Sequence, residues 1–193
     1  MLEDSDEAAA ALPTTAPVAS THSPLWYVFG GFVAIVGGVL GIPGAIVQEL
    51  RAGGFLLLPI VGAPVIEEAL KPTGVYILLA RWPFVVRNQL YTAAIAGLAG
   101  LAFGLLESTA YVLAFADDAP GWFPLYRFTI PVAMHTTASF IVGLGINQGL
   151  ADWVGGRAPL PRRSRNLYLT AIALHGVFNT VALALSFAGV LDD

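Results

Sequence analysis

A chain of 193 residues that is 56% hydrophobic and only 11% charged, with a mean hydropathy of +0.74, is not an ordinary soluble domain. Its net charge of −4 comes largely from the termini, and no basic stripe of the kind that tracks nucleic acid is present. The absence of cysteine excludes disulfides, thiolate metal sites and a cysteine nucleophile. What remains is an all-α, polytopic transmembrane helix bundle forming a single membrane-embedded domain over residues 25–190.

Residues 1–24 are acidic at first, then rich in Ala, Thr, Pro and Ser without periodicity, and read as a disordered tail. This tail lacks the basic start and continuous apolar core of a signal peptide, and its His22 has no assigned role. Five apolar runs follow, at about 25–47, 55–80, 91–116, 125–150 and 167–190. Each is near or above the roughly 20 residues that a helix needs to span a bilayer. Unbroken apolar runs lack the alternation of a membrane barrel strand, so helices are the expected form.

The first run carries no charge and is rich in glycine, with a break signal at Gly41-Ile42-Pro43-Gly44; it reads as a packing helix without chemistry. Arg81 and Arg87 lie in the second loop, and Arg157, Arg162, Arg163 and Arg165 in the fourth. The first and third loops hold Arg51 and Arg127, the third also Asp117 and Asp118. This bias places the second and fourth loops, and with them the N-terminus, in the cytoplasm and the C-terminus outside. The basic fourth loop also suits anionic lipid head groups. Trp26, Trp82, Trp122 and Trp153, near the run ends, read as interfacial anchors.

Chemistry concentrates in the second run, at Pro64-Val65-Ile66-Glu67-Glu68-Ala69-Leu70-Lys71-Pro72. An ionisable group at mid-membrane depth costs about 2.5–3.5 kcal/mol on insertion scales, and such groups face a protein interior or a wet cavity. Glu67 and Lys71, one turn apart, can partly neutralise each other, which leaves Glu68 unexplained by pairing alone. Pro64 and Pro72 each remove a backbone donor, freeing the carbonyls of Ile60 and Glu68. Later runs repeat the pattern at i,i+4: Glu107 with Tyr111, His135 with Ser139, and His175 with Asn179. Hydrocarbon offers these four stripes no partners, so they are expected to converge in a four-helix catalytic core. Gly100 and Gly104 share the face of Glu107, where another helix can approach closely.

At these residues the sequence resembles the PrsW family of intramembrane proteases, relatives of the CAAX prenyl endopeptidases within the wider CPBP group. The family's E-E-x-x-K motif matches Glu67, Glu68 and Lys71, and its F-x-x-x-E-x-x-x-Y pattern matches Phe103, Glu107 and Tyr111. Two later histidine motifs match His135 with Ser139 and His175 with Asn179. The CAAX branch usually shows E-E-x-x-x-R and a histidine where Glu107 stands. The departures favour the branch resembling site-1 proteases, which cut membrane-anchored substrates. The resemblance implies a multi-pass protein of a prokaryotic cytoplasmic membrane, acting on a membrane-anchored protein within the lipid bilayer and not on nucleic acid.

Hydrolysing a peptide bond there requires an activated water, a stabiliser for the oxyanion and a proton for the leaving amine. In one version Glu67 or Glu68 is the base, its neighbour is held by Lys71, and His135, His175 or Asn179 faces the oxyanion. In the other, Glu107, His135 and His175 hold Zn²⁺ or another divalent metal, with Glu67 or Glu68 as base. A small transporter or proton relay built on the same Glu, Lys and His cluster is the competing class, and a scaffold with a dead site the third.

Overall fold

The computed structural model describes residues 23–52, 58–115, 117 and 119–188. The expected tail with His22, the start of the second run, Asp118 and the end of the fifth run lie outside the described residues. The described residues fold as α-helices: α1 (Leu25–Ala52), α2 (Ala63–Leu70), α3 (Thr73–Arg81), α4 (Gln89–Ala114), α5 (Phe123–Gly143), α6 (Gln148–Val154) and α7 (Arg162–Phe187). A π-helical turn, Leu58–Gly62, leads into α2. Three of these, the first part of α1 (Leu25–Gly44), α4 and α7, are long and apolar enough to cross a membrane; α5 with α6 makes a fourth if the bent pair counts as one span.

Two of the expected runs differ from simple spans, for reasons visible in their prolines and caps. The second is broken into the π turn, α2 and α3. Pro72 has no N–H to continue α2, and Lys71 and Pro72 form a turn between the two helices. The fourth ends early: after α5 the chain turns by 78° into α6, whose first turn is capped by Asn147 Oδ1 accepting from Gly149 N at 2.9 Å. In α1 the break signal is overridden, since the helix runs through Pro43 to Ala52.

α4 and α5 pack along most of their length, with α1 laid over α3 and α4, and α7 against α5, α2 and the π turn. Glycines set the closest approaches. Gly37 of α1 meets Gly74 of α3 backbone to backbone, and a Cβ on either would overlap the other helix. Gly100 and Gly104 lie under α5: a Cβ at Gly100 would come within 2.6 Å of Ser139 Oγ, and one at Gly104 within 3.1 Å of the His135 ring. The Gly-x-x-x-Gly pattern is therefore an α4–α5 contact that seats His135. The apolar core, including Val75, Leu78, Ala96, Ala99, Ala138 and Val142, fills the space between these helices.

Candidate active site

Glu67, Glu68, Lys71, His135 and His175 are brought together and buried, and Glu107 closes the group from α4. The local chain explains the convergence. Pro64 cannot donate into the π turn, and the carbonyl of Pro59 instead accepts from Asn179 Nδ2 of α7 at 2.7 Å. That bond, with Gly176 letting α7 lie against the Ile60 carbonyl, ties α7 to the segment before the two glutamates. Pro131 acts similarly in α5. It leaves the Arg127 carbonyl without a helical donor, and Ser108 Oγ of α4 supplies one at 2.7 Å.

Lys71 Nζ lies 2.7 Å from Glu68 Oε1, 3.2 Å from Glu67 Oε2 and 2.6 Å from His135 Nδ1. The Phe103 ring covers it, 4.6 Å from nitrogen to centroid. A fully buried ammonium is tolerated only with such pairing. The outer nitrogens of both histidines are held by carboxylates: His135 Nε2 is 2.8 Å from Glu107 Oε2, and His175 Nδ1 is 2.9 Å from Glu68 Oε1. A carboxylate only accepts and an ammonium only donates, so these partners put the protons on His135 Nε2 and His175 Nδ1. His175 Nε2 then presents a lone pair, and the lone pair of His135 Nδ1 accepts from the Lys71 ammonium.

Both of these nitrogens lie near one further atom. Glu67 Oε2 lies 4.0 Å from His135 Nδ1 and 3.9 Å from His175 Nε2. It is buried and lacks a hydrogen-bond partner among the described residues; Lys71 is near enough to attract it but not aligned to donate. The three side chains offer ligand atoms all within 4.8 Å of one another. Three potential ligand atoms, two of them on imidazoles anchored by carboxylates, suit a divalent cation that takes the place of Lys71 at His135 Nδ1.

This donor set differs from the expected Glu107, His135 and His175. Glu107 lies on the far side of the His135 ring, whereas Glu67 projects from α2 between the two histidines. Glu68 is held behind this surface by Lys71 and His175. Ser139 Oγ sits against Gly100 in the helix contact, and Asn179 tethers the π turn.

Arg127 is the residue that sequence reasoning left as a loop charge. Its Nη2 lies 3.2 Å from Glu107 Oε2, and its guanidinium stacks 3.9 Å from the centroid of the Tyr111 ring. The signal was present, since Arg127, Pro131, His135 and Ser139 recur every four residues on one face of α5. Arg127, Tyr111, Glu107, Glu67 and His135 line a cavity of about 250 Å³.

A buried Glu/His/His donor set inside an apolar helical bundle defines an integral membrane protein with a candidate metal centre. The chain belongs to the PrsW family: the model described as PrsW family intramembrane metalloprotease matches residues 23–191. That membership makes it a member of a membrane peptidase family. No curated protein and no solved structure gives a match.

Proposed function

We propose that the chain is an endopeptidase that cuts membrane-anchored proteins, as site-1 proteases do, at the cavity bounded by Glu67, Glu107 and His135. The observation that carries this is Glu67 Oε2, buried and without an aligned hydrogen-bond donor, 4.0 Å from His135 Nδ1 and 3.9 Å from His175 Nε2. Glu67, His135 and His175 would hold the divalent metal, which in such a setting polarises the scissile carbonyl and lowers the pKa of a water. Glu107 and Glu68 fix the two rings in the tautomers that expose these nitrogens.

Glu107 is the cavity's other carboxylate, and its side chain is 20% exposed. It is the general base, taking a proton from the attacking water and returning it to the leaving amine as the C–N bond breaks. This moves the base from the expected Glu67 or Glu68 to Glu107. Lys71 balances the charge of Glu67 and Glu68. Arg127, stacked on Tyr111, holds Glu107 at the cavity. The loop-charge bias supports a cytoplasmic position for the arginine-rich end of the bundle, and the resemblance supports a prokaryotic membrane and a kinship with the CAAX group.

Detergent-purified protein, reconstituted with a single-pass membrane substrate, should cleave it and carry about one metal per chain. Cleavage should vanish on chelation and return with one particular divalent ion. Active protein with well under one metal per chain would return the role of base to Glu67. A second reading has one observation in its favour: Glu107, His135, Lys71, Glu68 and His175 form a continuous hydrogen-bonded series suited to moving protons. Proton flux in proteoliposomes without any cleavage would select it.

A further inference from the structure

The end of the bundle remote from the candidate active site carries a second feature. There α3 ends, α5 turns into α6, and α7 begins. Under α6 lie two apolar cavities of about 660 and 360 Å³, which share Tyr76, Leu150 and Trp153 in their linings. Volumes of about 300–1,000 Å³ are usual for small-molecule sites. Arg157 lines the first cavity and Arg165 the second.

Charge at this end is one-sided. Six of the nine Lys and Arg residues of the chain, Arg81, Arg87, Arg157, Arg162, Arg163 and Arg165, fall in its two loops or at the helix ends beside them. Asp152 offsets one, bonded to Arg157 Nη2 at 2.9 Å. Among the described residues, the Arg165 guanidinium bonds to the neutral side chain of Asn166, at 3.4 Å. Trp153 is exposed beside the cavities, as an aromatic ring at head-group level would be. An apolar slot rimmed by arginines and an interfacial tryptophan matches a molecule with a long hydrocarbon tail and an anionic head.

We propose that the two adjoining cavities beneath α6 form a binding site for an anionic phospholipid. Its acyl chain lies along Leu79, Leu150 and Leu169, and its phosphate is met by Arg165 and Arg157. The proposal is independent of the metal and of peptidase activity.

Native mass spectrometry of the full chain, released from detergent with added phosphatidylglycerol or phosphatidylcholine, tests it. Wild-type protein should retain one phosphatidylglycerol in preference to phosphatidylcholine. Arg157→Gln combined with Arg165→Gln should weaken that retention roughly tenfold or more, as expected for two cations close to the head group. Arg81→Gln combined with Arg87→Gln removes the same charge outside the groove and should change it little. Ala151→Trp, filling the slot, should lower retention of both lipids; Ala151→Leu, a smaller filler, serves the same purpose should the tryptophan prevent folding.

Equal retention of the two lipids by wild-type protein would overturn the proposal. So would equal losses from the two arginine pairs, which would reduce the effect to diffuse surface charge. Retention that appears only after deletion of the acidic residues 1–22 would make that segment the occupant instead.

Discussion

The two histidines of the site are held by the same device and yet sit in different surroundings. His175 is backed by Glu68, which has no exposure and is paired with the equally buried Lys71. His135 is backed by Glu107, which is partly exposed, lines the cavity and is braced by Arg127 and Tyr111. One side is a floor built to keep charges out of lipid. The other is a mouth where a carboxylate can meet water and substrate. The same residue type therefore has two jobs, and the surrounding charges and exposure set them apart.

The comparison is broken most severely at the atom common to both sides. Glu67→Gln should reduce cleavage by about a thousandfold or more, as removal of a group acting on the reacting atoms does, and bound metal should fall with it. Near-wild-type cleavage would dissolve the site as described. Next in size is the contrast between the two backing carboxylates. Glu68→Gln leaves Lys71 under-compensated in the interior, and should destabilise by about 3–5 kcal/mol, read as a lower thermal midpoint in detergent. Glu107→Gln should barely move the midpoint while lowering cleavage by about 10²–10⁴-fold. If the two variants lose equal stability, floor and mouth are not distinct.

Metal binding sharpens the same contrast at smaller scale. His135→Ala and His175→Ala should each remove the metal, whereas Glu107→Gln should retain it with affinity reduced about 10–100-fold, measured by competition with a chromogenic chelator. Equal metal loss in all three would return Glu107 to the donor set. The smallest effect is expected at Arg127. Arg127→Met should cut cleavage by about tenfold through a misplaced Glu107, and Arg127→Lys should recover only part of it, because a lysine cannot both stack on Tyr111 and reach Glu107 with a planar fork.

Much of this was legible from spacing alone. Glu67 with Lys71, His135 with Ser139 and His175 with Asn179 are one-turn pairs in apolar runs, and hydrocarbon forces such pairs to meet. Spacing fixes which face of a helix a residue occupies, but not which side of a neighbouring ring it reaches. For that reason Glu107 and Glu67 could not be told apart as ligands until α2 and α4 were placed around His135. The break at Pro72 and the turn before α6 were obscured because hydropathy runs on through both. Leu150 continues the apolar run although Asn147 has already capped a new helix. The groove under α6 follows from that turn and was not foreseeable from the run itself.

The site is also split by position along the chain. Glu67, Lys71, Glu107 and His135 belong to α2, α4 and α5 and the turn after α2, whereas His175 and the tether Asn179 belong to α7, the last described helix. Of the three helices long and apolar enough to span by themselves, α7 is also the most loosely covered, with 17% of its most apolar stretch buried against 50% for α4. At a synthesis rate of about 5–20 residues per second, His175 leaves the ribosome roughly 5–20 s after Glu67. Through that interval the growing protein has at most two of its three proposed donors, His135 following Glu67 only later in it, and no anchor for the π turn. On the proposed donor set, a hydrolase assembled in this order is inert while it is being made, and becomes competent only when α7 enters the bilayer and docks.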